Sequence, residues 1–361
     1  MLIYLIIFAV LVFFSANEQY FRYSKFVEFR VLMVLMLLLF AALRPPGGDK
    51  DYVSYLISFS SFKEPLDYFK NYTEWIYFDP MYYLIPSFLK TYVSQNNYAI
   101  IAIFIYAIIA LSLKFTAITR MSHFFFLTLL VYFSNFFLLH EMTQMRVGVT
   151  TAIFMMALSF LKDKNYKAYL LMVLMALLFH YSAILFLIPL IFDSTHFKKN
   201  WYWAMMGLIL IMTFVKTDFI LPLLRLDFGD VNFKSNNYID YAEVGLLQET
   251  NKLNINFIMS YTITAALVLF IDKIQEKNNY AYLLVKLQIL SLFLFQFFAP
   301  IAGFAFRFSE LFLCTQIITI PFIVYIFRNR WLGYAIVVLI AAGYLWLNLF
   351  HQKLMLDYFK A

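Results

Sequence analysis

The sequence predicts an all-α protein, a polytopic transmembrane helical bundle of about twelve spans. Three observations carry this. Of 361 residues, 63% are hydrophobic and only 14% charged, with a mean hydropathy of +0.76. Soluble domains sit nearer roughly 45–50% apolar and about 25% charged. The apolar residues fall in long uninterrupted runs, not in the alternation of barrel strands. Most short connections between the runs carry Lys and Arg, as cytoplasmic loops do. A water-soluble globule of this composition would be left with large sticky patches, and disorder is excluded by the same hydrophobicity. Cys314 is the single cysteine, which excludes a disulfide scaffold, Cys-based zinc sites, iron–sulfur clusters and c-type haem. The net charge of +7 then reads as basic loops against an anionic leaflet, and nucleic acid is not expected as a partner.

The elements follow in order. No basic residue precedes the apolar run 2–16, so it reads as a retained helix with its N-terminus outside. Arg22, Lys25 and Arg30 mark the next connection as cytoplasmic. A helix over 29–43 runs outward and stops at Arg44-Pro45-Pro46-Gly47-Gly48, where proline and glycine end it. Residues 44–97 form a first outer, extracytoplasmic loop. There Tyr, Phe and Trp interleave with Asp49, Asp51, Glu64, Asp67, Glu74 and Asp79, a mixture suited to short interfacial helices.

Helices at about 98–114, 121–139 and 147–161 leave Lys114 and Arg120 in one inner loop and Lys162, Lys164 and Lys167 in another. The stretch 168–192 is long enough for one span, but that would put His196, Lys198 and Lys199 outside. Breaking it at Phe179-His180-Tyr181-Ser182 returns them to the cytoplasm. A helix at 201–216 leads to a second outer loop, 217–255, whose acids Asp218, Asp227, Asp230, Asp240, Glu243 and Glu249 outnumber its bases. Helices near 256–271, 281–298, 308–327 and 331–350 complete a single integral membrane domain, 1–361, with both termini outside. Lys273, Lys277, Arg328 and Arg330 fall inside.

No Walker A loop, GxGxxG or HExxH occurs, so no cofactor and no metal are called for. Chemistry is sought among polar residues at helix ends, where ionisable groups are expensive to keep. Arg44, Asp49 and Tyr52 surround the first turn. A cation at a helix C-terminus is ordinary, and the acid could be merely solvated; the alternative is a turn presenting both to a polar ligand. His140-Glu141-Met142-Thr143-Gln144-Met145-Arg146 reads as an outer hairpin, with Arg146 in the first turn of a helix. The helix dipole disfavours a cation there, and either a bound anion or Glu141 would relieve the conflict. His180 at the helix break is either a hydrogen-bonded packing residue or a group poised for proton transfer. Arg307 repeats the Arg146 pattern, with an i,i+3 pair to Glu310 as its ordinary explanation. Asn237-Tyr238-Ile239-Asp240-Tyr241 offers aromatics and acid of a kind that contact sugars.

At these residues the chain resembles the EpsG/Wzy family of bacterial polysaccharide polymerases. The resemblance rests on Arg44-x-x-Gly47-x-Asp49-x-x-x-Val53-x-Tyr55, on Gln144-Met145-Arg146 opening a helix, on Phe179-His180-Tyr181-Ser182-Ala183-Ile184, and on Arg307-Phe308. Their order and spacing match over roughly residues 30–310. The resemblance implies a membrane glycosyltransferase of GT-C-like architecture in the bacterial inner membrane, with its active site facing the periplasm. It implies O-antigen, capsule or exopolysaccharide synthesis from oligosaccharide repeats on undecaprenyl diphosphate, with a chain-length regulator protein as a further partner. On that chemistry Arg146, Arg307 and Arg44 would stabilise the departing diphosphate, with Gln144, Tyr52 and Tyr241 lining the substrate. His180, Asp49 and Glu141 are the candidates for the base, with a preference for His180 because a helix break faces a cavity. Two other readings stand beside this one. One is a lipid-linked monosaccharide transferase of the same architecture, suggested by Asp49 and Asp51. The other is a lipid-linked oligosaccharide flippase, disfavoured by the lack of internal repeats and by charges gathered at outer helix ends.

Overall fold

A computed structural model of the chain describes residues 1–20, 23–45, 47–75, 77–215 and 250–355. Among these the protein is all-helical, without a strand; Asp49 and Met355 form one isolated bridge. The order is α1 (Leu2–Asn17), α2 (Tyr23–Ala42), α3 (Tyr52–Ser61), α4 (Asp67–Lys70), α5 (Tyr72–Trp75), α6 (Pro80–Tyr92), α7 (Tyr98–Met121) and α8 (Phe125–Tyr132). α8 continues as a π-helix over Phe133–Thr143, and α9 (Met145–Lys162) and α10 (Tyr166–Phe179) follow. A 3-10 segment (Tyr181–Ile191), α11 (Lys199–Met212), α12 (Ile255–Leu269), α13 (Ile271–Gln275) and α14 (Ala281–Phe297) come next. The last elements are α15 (Ala302–Leu313), α16 (Gln316–Thr319), α17 (Ile323–Ile326) and α18 (Arg330–Trp346).

Local chemistry sets many of the boundaries. Pro80 opens α6, where its fixed φ suits the first turn and its missing N–H costs nothing. Asn165, Asn254 and Asn329 cap α10, α12 and α18 by accepting from backbone N–H groups. The turn after α2 needs Gly47 at φ +84, a conformation that a Cβ would strain. The π-segment leaves backbone carbonyls needing donors, and Asn348 gives its amide to the Ser134 and Asn135 carbonyls at 2.9 and 3.0 Å.

Among the described residues four helices are long and apolar enough to cross a bilayer: Tyr98–Met121, Phe125–Thr143, Met145–Lys162 and Arg330–His351. The bent pair Ala302–Leu313 with Gln316–Ile326 would make a fifth. Five more apolar helices among the described residues are 10–17 residues long, shorter than the ~20 a hydrocarbon core asks for.

The chain forms two compact units, Met1–Leu187 with Ile320–Ala361, and Ile188–Thr319. In the first, Phe125–Thr143 is the central element, 94% buried over its most apolar window. It is largely apolar, and its buried Ser134, His140 and Glu141 have hydrogen-bond partners. α1 and α18 pack on it, while α9 lies between α7 and α10, and α6 rests on α7 and α10. In the second unit α14 packs against α15, α11 and α12. There Gln288 accepts from Thr264 at 3.1 Å and donates to Thr319, and Lys286 donates to the Asp193 and His196 carbonyls.

Several sequence expectations change here. The helix expected to end at Lys114 continues to Met121, so Lys114 is a buried residue of α7 and not a loop cation. The hairpin around His140 and Glu141 is buried, because those residues belong to the π-helical end of the central element. The helix expected at 308–327 starts at Ala302 and breaks after Leu313. Arg307 is therefore in its second turn, not at its N-terminus. The break expected at His180 is present: α10 ends at Phe179 and His180 is extended, with φ −158 and ψ 124. Most of the segment 217–255, expected as an outer loop and holding Asp240 and Tyr241, lies outside the described residues.

Candidate active site

Asp79 organises the site. It precedes a proline, which holds it extended at φ −61 and ψ 140 before α6. Its carboxylate makes no cap bond to that helix. Instead Oδ2 accepts from Arg146 Nη1 at 2.6 Å, and Oδ1 accepts from the Tyr181 N–H at 3.0 Å and faces His180 Nδ1 at 3.4 Å. One carboxylate thus joins the start of α9 to the break after α10. Arg146, the second residue of α9, receives the counter-charge that the helix dipole denies it. Its guanidinium also lies 4.4 Å from the Tyr82 ring centre.

The cluster is half open. The Asp79 side chain is 4% exposed, His180 17% and Arg146 31%. Burial works to raise the Asp79 carboxyl, but His180, Arg146 and the Tyr181 N–H outweigh it and hold the group below its usual range. With Nδ1 turned to Asp79, Nε2 is the His180 nitrogen left for proton transfer. Beside His180, the Tyr106 ring meets Phe179 edge-on at 6.0 Å, and the buried Tyr106 hydroxyl and Ser182 Oγ have no hydrogen-bond partner among the described residues. A polar ligand would meet unsatisfied groups there.

A second cluster in the same unit is closed. Arg44 Nε pairs with Asp49 Oδ2 at 2.8 Å, both side chains being 0% exposed, and Arg44 Nη1 donates to the Ala41 and Glu141 carbonyls at 2.8 and 3.2 Å. The other Asp49 oxygen accepts from the Asp51 and Tyr52 N–H groups, both at 2.9 Å, so it ties down the start of α3. The Tyr52 ring centre is 5.4 Å from the Arg44 guanidinium. Glu141 is bound by Lys114 Nζ and by the Tyr132 hydroxyl, the latter at 2.7 Å. Gln144 ends the π-segment, its N–H donating to the Leu139 carbonyl at 2.8 Å.

Arg146 and His180, picked out by sequence, are thus brought together, and Arg44, Asp49, Tyr52 and Glu141 gather in the closed cluster. Arg307 is exposed on α15, in the other unit. Sequence reading missed Asp79, Tyr82 and Lys114 as site residues. Asp-Pro before a helix invites an N-cap explanation, and a lysine after sixteen apolar-rich residues invites a loop. The available signal for Asp79 was that Arg146, in the first turn of a helix, needed an acid from elsewhere. Among the described residues no three His, Cys, Asp or Glu side chains converge as a metal-ligand set would.

Long apolar helices around a half-open Arg–Asp–His cluster mark an integral membrane protein with a partly accessible ionisable site. The chain belongs to the EpsG family, whose model matches residues 27–359, nearly its whole length. The role this supports is of the polysaccharide-polymerase type, a glycosyltransferase-like activity in a membrane. No curated protein and no solved structure matches the chain.

Proposed function

We propose that the protein joins oligosaccharide repeat units carried on undecaprenyl diphosphate, on the periplasmic face of the bacterial inner membrane. In this reading it is a Wzy-type polymerase, one integral membrane domain of about twelve spans with GT-C-like architecture, and residues 44–97 and 217–255 lie on the outer side. The observation that carries it is the juxtaposition of Arg146 and His180 on the Asp79 carboxylate. An acceptor hydroxyl oxygen attacks the anomeric carbon of the donor sugar, and its proton passes to His180 Nε2. The bond from that carbon to the diphosphate oxygen breaks with its electron pair, releasing undecaprenyl diphosphate. Arg146, one face of which reaches solvent, stabilises the charge that grows on the diphosphate. Asp79 keeps the imidazole oriented and balances the charge it acquires. Asp49 and Glu141, both held in buried ion pairs, serve structure in this reading.

Deleting the gene tests the proposal. Lipid-linked glycans of a single complete repeat should accumulate, and a copy carrying Arg146→Ala should fail to restore polymer. Incomplete repeats would instead indicate a monosaccharide transferase. Accumulation on the cytoplasmic side would indicate a flippase, a reading to which the buried Lys114–Glu141 pair lends one argument, since transporters also keep charges inside the bilayer.

A further inference from the structure

Lys114 has no part in the chemistry above, yet its placement is costly. It leaves α7 with a side chain 0% exposed and pairs with Glu141, whose side chain is 1% exposed. A pair this buried rarely repays its desolvation through stability alone, since well-packed apolar residues usually serve a core as well or better. Its contacts show what else it does. Lys114 Nζ also lies 3.3 Å from His140 Nδ1 and 5.3 Å from the Tyr132 ring centre, while the Tyr132 hydroxyl donates to the same Glu141 oxygen. Arg44 holds the Glu141 carbonyl, and Thr143 Oγ1 closes onto the Leu138 carbonyl at 2.8 Å. All these bonds converge on residues 138–143, the segment that leads into Arg146.

Gly148 completes the arrangement. A Cβ there would lie 2.8 Å from the His140 carbonyl oxygen and 3.0 Å from Glu141 Oε2, so the first turn of α9 rests directly on the clamped segment. A displacement of Glu141 is therefore passed to the turn that carries Arg146. We propose that Lys114 is a positioning residue. Through Glu141 it fixes the 138–146 segment so that the Arg146 guanidinium is held between Asp79 and Tyr82, facing the substrate. What Arg146 does there rests on the proposed polymerase reading; its placement does not.

The test uses the full chain in proteoliposomes, with Lys114→Met combined with Glu141→Leu so that no unpaired charge is left behind. Two quantities are read beside the unfolding temperature: the kinetics of polymer formation from lipid-linked repeats, and the rate at which an arginine-selective dicarbonyl modifies Arg146, followed by mass spectrometry. The expected result is a folded protein with kcat at least tenfold lower, KM within threefold, and Arg146 modified at least threefold faster because it has left Asp79. Parental modification of Arg146 overturns the proposal, and if kcat has nonetheless fallen, Glu141 itself becomes the candidate base. Faster modification in a system whose parent chain makes no polymer upholds the positioning and sinks the polymerase reading instead. Should the double variant not fold, Lys114→Arg, which keeps the charge but moves it, is judged on the modification rate, with a twofold rise expected.

Discussion

Replacing Asp79 by Asn removes one charge and keeps the volume. An Asn whose oxygen still accepts from the Tyr181 N–H also faces His180 but loses Arg146, because its nitrogen takes the Oδ2 place and only donates. A hydrogen bond to a charged group is worth about 1.5–3 kcal/mol when buried. Water reaches the Arg146 side chain, 31% exposed, and makes good part of that, so a stability loss of about 1–2 kcal/mol is expected. A general base in a transfer reaction contributes roughly 10²–10⁴-fold, and an imidazole without its orienting carboxylate should forfeit the lower part of that range. The prediction is a fall in kcat of about 100-fold, or about 2.7 kcal/mol in the barrier. Turnover in proteoliposomes and thermal unfolding, measured on the same preparation, separate the two effects.

The pH dependence gives a further check. Because the Asp79 carboxyl is held below its usual 3.8, its contribution to stability is present above that value and is lost as pH falls through the lowered one. Parent and Asp79→Asn should therefore differ at neutral and mildly acid pH and converge in strong acid. An Asp79→Asn protein with kcat within threefold of the parent would refute the assignment of Asp79 and, with it, of an oriented His180.

Three other predictions follow from named contacts. Burial pushes the Glu18 carboxyl, in the turn after α1, up to about 7 from 4.5, against the Phe126 N–H and Arg30. The neutral form is thus favoured in the fold, a stabilisation present below pH 4.5 and lost as pH rises through 7. Glu18→Gln should unfold at a higher temperature than the parent at pH 8, by roughly 1–3 kcal/mol, and match it near pH 4. Gly148→Ala sets a Cβ against the His140 backbone, which cannot give as a flexible side chain would; a loss of about 1–3 kcal/mol should appear as a lower unfolding temperature. Tyr82→Phe keeps the ring under Arg146 and should leave KM for the lipid-linked repeat within twofold of the parent. Tyr82→Leu removes the ring and should lower kcat several-fold with KM within threefold, in line with about 0.5–2 kcal/mol for a cation over an aromatic face.

Composition and run lengths made the helical membrane class legible, because only internally satisfied backbone can occupy a bilayer. The break at His180 was legible from charge parity alone, and the first-turn position of Arg146 from the residues around it. What sequence reading could not supply was partnership across the chain. Asp79 lies 67 residues before Arg146 and 101 before His180, so nothing local marks it as their shared acceptor. Lys114 reads as a loop residue because an isolated lysine ordinarily ends an apolar run. Its buried carboxylate lies 27 residues further on, so α7 was free to continue. The same blindness made Arg44, Asp49 and Glu141 look like open polar groups, whereas each is enclosed by the others' elements. Arg307 is away from a helix N-terminus for a simpler reason: its helix begins six residues earlier than the Pro/Gly turn suggested.

Polymer formation by the purified chain bears on the whole account at once. The parent protein, reconstituted with undecaprenyl-diphosphate-linked repeats and no nucleotide sugar, should produce a ladder of products spaced by one repeat, and Arg146→Ala and His180→Ala should each leave the repeats unjoined. A parent that leaves them single, or a His180→Ala variant that builds the normal ladder, would contradict it.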